Sequence, residues 1–257
     1  MPTSRLGMFS KLYSKEMREL APEMITVIGL AVLAYIYLFF KTHDYPFAVI
    51  GPVFMIGGMA AFLPVISSFK LLGREWKNNT VYLMMSLPVK GGMIMGAKLT
   101  ALLSEYVLGT LIAGVSGFLL IYALNPELGQ VLTSSIPGIG MKLIELWPQG
   151  LALYLTSIVI IAYIASISFF SQMVGKLVSR FSGLVTAVVF IATAYLSGKV
   201  GDLFWLSIDK QWFTNGINTF DLNVINQFLI INLLFSLALA AVIFTLAVII
   251  YNRKIEL

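Results

Sequence analysis

Six runs of apolar residues, each close to the length needed to cross a bilayer, dominate this chain of 257 residues. They lie at about residues 22–40, 47–69, 93–123, 149–174, 182–200 and 224–251. A helix of about 20 apolar residues spans the hydrocarbon core of a membrane. Hydrophobic residues make up 59% of the chain and charged residues only 11%, whereas a soluble domain carries about 25% charged residues. The sequence therefore predicts an all-α integral membrane protein with six transmembrane helices, forming a single domain over residues 1–257.

Composition excludes several classes of function. The chain has no cysteine and one histidine, His43, which excludes disulfides, a catalytic thiol and a histidine-based metal site within one chain. No G-x-x-x-x-G-K-[ST] phosphate-binding pattern occurs, so the chain does not bind ATP in that way. The net charge of +5 fits basic loops against anionic lipid better than nucleic acid. We therefore expect no catalytic residue, no metal ligand, no cofactor on this chain, and membrane lipid rather than nucleic acid as a partner.

Residues 1–21 form a polar region before the first two spans, which we place within residues 22–69. Apolar side chains recur at helical spacing from Leu6 to Leu20, and the basic side chains lie largely off that stripe. This pattern predicts an amphipathic helix in the membrane interface, with a short solvated helix as the alternative. Pro22 is suited to the first turn of the span that follows.

The distribution of basic residues predicts the orientation. Six spans place both termini on one side, and 13 of the 17 lysines and arginines lie on that side. Positive residues are enriched in cytoplasmic loops. We therefore expect a multi-pass protein of the cell membrane, with both termini and the loop over residues 70–92 in the cytoplasm and the remaining spans within residues 93–257.

The loop over residues 70–92 contains the polar insert Arg74 to Lys90, with the sequence REWKNNTVYLMMSLPVK. Thr80 is suited to cap a short helix that Leu87-Pro88 would end, because the residue before a proline disfavours the helical conformation. An apolar helix of this kind, lying along the membrane, suits docking into a groove of a partner. The alternative is a basic loop that only anchors the topology.

This insert resembles the first cytoplasmic loop of ABC-2-type ABC transporter permeases. The resemblance rests on an acidic residue, a threonine, a hydrophobic pair and a Leu-Pro-Val run: Glu75, Thr80, Leu83, Met84, Ser86, Leu87, Pro88, Val89 and Lys90. The six spans and the N-terminal helix extend the likeness over nearly the whole chain. It departs at Asn79, where glycine is common in the family.

The resemblance implies a permease subunit of an ATP-driven exporter, with no enzyme activity of its own. In that family two six-span subunits form the pathway, and separate cytoplasmic ABC ATPase subunits bind ATP and Mg. The partners implied are these ATPases and a second copy of the chain or a related permease. The family's coupling helix would comprise Glu75, Trp76, Thr80, Tyr82, Leu83, Met84, Leu87 and Pro88. The mostly apolar spans suit an amphipathic or hydrophobic cargo, such as a peptide, a drug or a lipid.

Glu105 is the other candidate, about twelve residues into the third apolar run. A carboxylate inside the membrane is costly and usually faces a cavity or a partner. We expect Glu105 to line the translocation path or a subunit interface. The alternatives are a position near the inner headgroups, or a protonated side chain hydrogen-bonded within the bundle. Lys98, two turns earlier, is expected to extend toward the cytoplasm.

Other classes of function remain open from the sequence. A secondary transporter or channel driven by an ion gradient would also contain intramembrane charge, and a non-transporting immunity or sensory membrane protein would look similar. An intramembrane enzyme would need clustered nucleophiles or metal ligands, which the apolar runs lack. Part of the two longer outer segments, 124–148 and 201–223, is expected either to re-enter the membrane or to form ordinary loops.

Overall fold

The computed structural model describes residues 5–41, 50–78, 89–124, 136–178, 181–206 and 222–255. All regular structure within these ranges is helical. The six helices are α1 (Arg5–Lys41), α2 (Ile50–Lys77), α3 (Gly91–Leu124), α4 (Ile136–Gly175), α5 (Ser182–Leu206) and α6 (Leu222–Ile255). Each contains a stretch long and apolar enough to cross a membrane. The prediction of an all-helical, multi-pass membrane protein with six spans is therefore confirmed.

Contacts between helix ends show which ends lie together. The start of α3 at Gly91 lies against Tyr251 near the end of α6, and Trp76 at the end of α2 lies beneath the ammonium of Lys176, just after α4. Lys15 near the start of α1 reaches the end of α2. We call this side of the bundle, which holds most of the described basic side chains, the charged end.

The main core lies close to the charged end. Five helices contribute buried apolar side chains to it, including Leu20, Leu72, Met95, Phe169 and Ala247. Farther from the charged end, small residues let α1, α2 and α3 approach closely: Ala31, Ala60 and Ala113, together with Ile56. In lipid, helix association depends on such close packing rather than on removing apolar surface from water. Close packing of small residues thus holds α1, α2 and α3 together in this part of the bundle.

Helix α1 is one continuous element, whereas the sequence predicted an interfacial helix over residues 1–21 and a separate span beginning near Pro22. The structure keeps Pro22 inside the helix, where it removes one backbone hydrogen bond. Leu12 and Leu20, before the proline, and Ala31, after it, are all buried within the bundle. Packing on both sides therefore holds the two parts in line, and part of the predicted apolar stripe faces the protein. The position of residues 5–20 in the membrane interface stays a prediction.

Helix α4 begins at Ile136 and passes through Pro148, whereas the sequence predicted a span beginning at residue 149. The predicted coupling helix, within residues 79–88, lies outside the described residues. So do residues 125–135 and 207–221, which belong to the two outer segments. The chain leaves the described bundle after Asn78 and returns at Val89, so this segment starts and ends at the charged end.

Candidate functional site at the charged end

Three of the predicted site residues lie within the described part of the chain. Glu75 and Trp76 occupy the last turn of α2, and Glu105 lies in the first half of α3. The other six lie outside the described residues: Thr80, Tyr82, Leu83, Met84, Leu87 and Pro88. Glu75 is almost fully buried, and Trp76 is half-buried. The assignment of these side chains to ATPase coupling stays a prediction.

Glu75 belongs to a closed set of four ion pairs that joins α1, α2 and α3. The Lys98 Nζ donates hydrogen bonds to Glu75 Oε1 at 2.6 Å and to Glu16 Oε2 at 2.9 Å. The Lys15 Nζ donates to the same Glu75 oxygen at 2.9 Å and to Glu16 Oε1 at 3.2 Å. We call Lys15, Glu16, Glu75 and Lys98 the ion ring. Within the ring each charge contacts two charges of opposite sign, and Lys15 also pairs with Glu19 at 3.3 Å.

The ion ring is buried, and this determines its energetics. Lys98 is 0% exposed, Glu16 is 1% exposed and Glu75 is 3% exposed, whereas the Lys15 side chain is 38% exposed. Removing the three buried ions, Glu16, Glu75 and Lys98, from water costs several kcal/mol each, so the ring is stable only while their charges are compensated. Two lysines and two glutamates give a net charge of zero. The ring therefore fixes the relative positions of three helices more than it adds stability.

The burial of Lys98 corrects the expectation that this side chain extends toward the cytoplasm. Lysine side chains commonly extend the ammonium to water, but a buried ammonium is tolerated where it is paired with carboxylates. Here Glu16 and Glu75 lie within hydrogen-bonding distance, and Leu12, Met95 and neighbouring apolar side chains of the core surround the site. The ammonium therefore turns inward, toward α1 and α2.

A second polar network joins α1, α2 and α3 and extends farther into the bundle than the ion ring. The Glu23 Oε1 accepts hydrogen bonds from Arg74 at 2.8 Å and from Lys70 at 3.2 Å. The other oxygen of Glu23, Oε2, lies 2.8 Å from the Ser67 Oγ. The same Ser67 Oγ lies 3.1 Å from Glu105 Oε1. The Ser67 hydroxyl therefore bridges two carboxyl groups, one near the charged end and one inside the bundle.

Glu105 is buried and only partly satisfied. It is 1% exposed, and its Oε2 has no hydrogen-bond partner among the described residues. Glu105 lines a cavity between α1, α2 and α3 whose remaining walls are apolar residues, among them Val27, Ile56 and Ala60. The cavity offers about 20 Å³ to the centre of a water molecule, and one water needs about 10–15 Å³ by that measure. The cavity is therefore large enough for one water beside the carboxyl.

The polar contacts at the charged end are ion pairs, hydrogen bonds and a cation–π contact. Within the described ranges, no group of three or more histidine, aspartate or glutamate side chains is placed to hold a metal ion. The ammonium of Lys176 lies 5.6 Å from the centroid of the Trp76 ring, a cation–π distance that fixes the end of α2 against α4. These contacts position helix ends and hold charge inside the bundle.

The sequence analysis did not find the acidic partners on α1. Glu16, Glu19 and Glu23 recur at spacings of three and four residues, which places them on one face of a helix. Lys70 and Arg74 repeat at a spacing of four on α2. These complementary faces predict pairing between the two helices.

Comparison with models of known protein families and with curated proteins found no match for the chain. The likeness to ABC-2-type permeases therefore rests on the residues of the insert and on the six-span layout.

Proposed function

We propose that this protein is the permease subunit of an ATP-driven exporter and that a separate cytoplasmic ATPase drives it. The observation that carries the proposal is the position of the ion ring at the base of the segment over residues 79–88. Glu75 lies two residues before the end of α2, and Lys98 lies in the second turn of α3. Both helices that flank the segment are thus bound to each other and to α1.

This geometry suits the transmission of force. A partner that pushes on the segment would displace the end of α2 and the start of α3 together, because Lys98 bonds to Glu75 at 2.6 Å. Glu16 would carry the displacement to α1. In this proposal Glu75 acts inside the bundle as an anchor of the coupling segment, while the side chains from Thr80 to Pro88 provide the contact with the ATPase.

The proposal includes a second permease copy or a related permease as partner. Helix α5 supports this part, since only 6% of its most apolar stretch is buried within the described chain. Its exposed side chains include Leu184, Val188, Ile191 and Leu196. Such a surface suits lipid or another permease subunit. Chemical cross-linking in native membranes, followed by mass determination, would test for the pair.

The coupling role is tested by co-purification with a co-expressed ABC ATPase. The double substitution Leu83→Asp, Leu87→Asp places two charges on the predicted docking surface and should abolish capture of the ATPase. The matched control is Leu177→Asp, Val178→Asp, which alters two exposed side chains after α4 at the same end. This control should retain capture. Full ATPase binding and transport by the first variant would show that the docking role is wrong.

The proposed orientation has a simple test, because the native chain contains no cysteine. A Leu83→Cys variant should react with a membrane-impermeant maleimide in inside-out vesicles and remain unlabelled in intact cells. Labelling from outside intact cells would place the segment on the other side of the membrane and exclude contact with a cytoplasmic ATPase.

A second candidate function, transport driven by an ion gradient, is favoured by Glu105 and the cavity beside it. Intramembrane carboxyl groups facing cavities are typical of proton-coupled transporters. Purified protein in liposomes, without any ATPase, would be given a pH gradient and monitored with a pH-sensitive dye inside the vesicles. Proton flux that Glu105→Gln abolishes would favour this second function.

A further inference from the structure

The Ser67 hydroxyl has one hydrogen but contacts two carboxyl groups. Its Oγ lies 2.8 Å from Glu23 Oε2 and 3.1 Å from Glu105 Oε1, and both are hydrogen-bonding distances. A serine hydroxyl donates one hydrogen bond and accepts others, whereas an ionised carboxylate only accepts. If both carboxyls were ionised, the two contacts would have to share the single Ser67 hydrogen. A proton on one of the two carboxyl groups gives each contact a hydrogen of its own.

The surroundings of the two groups identify which carboxyl holds it. Glu23 is ion-paired with Lys70 and Arg74 at 3.2 and 2.8 Å, and its side chain is 12% exposed. Glu105 is 1% exposed and forms no ion pair with the described residues. A buried carboxylate without a paired cation is strongly disfavoured against its neutral form. The proton therefore belongs to Glu105, which donates to Ser67, while Ser67 donates to Glu23.

Other charged groups do not change this assignment. The charges facing Glu105 are Glu23 on α1 and Lys70 on α2, and Lys70 is already bound to Glu23. The described basic side chains on and just after α4 and on α6 are Lys176 and Arg253, both near the charged end. The described side chains of α4 and α6 include no acid, so they offer no other carboxyl to share the proton.

We propose that Glu105 is a proton-binding site inside the bundle, connected to the charged end through Ser67 and Glu23. In the transfer step, the Glu105 proton moves to the Ser67 Oγ as the Ser67 hydrogen moves to Glu23 Oε2. Glu105 becomes a carboxylate, Glu23 becomes a carboxylic acid and Ser67 remains a neutral alcohol. Glu23, being partly exposed, then releases its proton to water at the charged end. Proton uptake follows the same bonds in reverse.

The cavity beside Glu105 supports this site independently. Its walls are apolar apart from Glu105 itself, and its volume of about 20 Å³ suits a single water. Glu105 Oε2, which has no partner in the described chain, is the group such a water would bond. Glu105 Oε1 thus contacts the Ser67 hydroxyl, and the same side chain lines a small apolar cavity. The inference goes beyond the proposed exporter function and does not depend on an ATPase.

Infrared spectroscopy of the purified full chain tests the proton assignment directly. A protonated carboxyl gives a carbonyl stretch distinct from the bands of a carboxylate. We expect this band in the native protein at neutral pH, its loss in Glu105→Gln, and its retention in Glu23→Gln. Glutamine is close in size to glutamate and its amide can donate to Ser67, so the first variant should keep the fold. If it does not, Glu105→Asp should shift the band rather than remove it.

The relay is tested by transfer of the same protein into D₂O. The deuterium shift of the Glu105 band should appear about tenfold more slowly in Ser67→Ala than in the native chain, the effect of a barrier raised by about one hydrogen bond. Three outcomes would overturn the proposal: no protonated band in the native protein, a band lost in Glu23→Gln instead of Glu105→Gln, or equal exchange rates with and without the Ser67 hydroxyl. None of these readouts involves an ATPase, so they are independent of the exporter hypothesis.

Discussion

Replacing Lys98 by methionine tests whether the ion ring holds three helices together. Methionine is unbranched, apolar and similar in length to the lysine stem, so Lys98→Met keeps most of the packing against the core. The substitution removes the contacts to Glu75 at 2.6 Å and to Glu16 at 2.9 Å. The ring then contains one lysine and two glutamates, and its net charge changes from zero to minus one.

The expected cost follows from burial. Removing one partner of a buried ion pair typically destabilises a protein by about 3–5 kcal/mol, because the remaining charge stays buried without compensation. Lys15 still contacts both glutamates at 2.9 and 3.2 Å, but its side chain is 38% exposed and so is better screened by water. We therefore expect a loss near the lower limit, about 3 kcal/mol, or a roughly 150-fold change in the folding equilibrium.

The measurement is the free energy of unfolding in detergent micelles of fixed composition, arranged as a double-mutant cycle. Lys98→Met and Glu75→Gln should each destabilise the protein. The double variant should recover part of the loss, because Lys15 and Glu16 alone are again neutral. The matched control is Lys199→Met, since Lys199 forms an exposed pair with Asp202 at 3.3 Å. That substitution should cost less than about 1 kcal/mol.

Two results would refute this reasoning. If Lys98→Met unfolded like the Lys199→Met control, the buried charges would be compensated in some other way. If the double variant lost the full sum of the two single losses, the ring would not act as a coupled unit. Either result would also remove the support that the ring gives to force transmission from the segment over residues 79–88.

Five further substitutions, two of them controls, test helix packing and backbone conformation by the same measurement. Gly91→Ala should destabilise by about 1–3 kcal/mol, because a Cβ there would overlap side chains of α6, whereas Gly96→Ala on the same helix meets nothing within 4 Å and should be neutral or stabilising. Phe169→Ala, at a fully buried position, should cost about 3 kcal/mol, while Phe62→Ala on the exposed face of α2 should cost far less. Phe181 has a φ of 64°, a conformation that disfavours a bulky side chain, so Phe181→Gly should stabilise by about 1 kcal/mol.

The six spans were predictable because the bilayer imposes a length and a composition that are visible in one sequence. Helix ends were less predictable. Pro22 and Pro148 mark boundaries in an isolated chain, yet both lie inside helices here. A proline removes one backbone hydrogen bond, and continued packing of the helix on either side can offset that loss. The residues next to a proline in the sequence do not show how the helix packs on either side of it.

The ion ring was not predictable from local patterns for a related reason. Lys98 and Glu75 are 23 residues apart, and Lys98 and Glu16 are 82 apart, so no short motif contains the pair. The position of Glu105 inside a span was visible because a single charge stands out in an apolar run. Its bridge to Glu23 through Ser67 depends on how α1, α2 and α3 pack, which the sequence does not specify directly.

The ion ring and the proton site both depend on one face of α2. Ser67, Lys70 and Arg74 recur at spacings of three and four residues, and Glu75 adjoins them at the end of the helix. Ser67 contacts the carboxyl of Glu105, Arg74 binds Glu23, and Glu75 belongs to the ion ring. A displacement of α2 relative to α1 would therefore change both networks together.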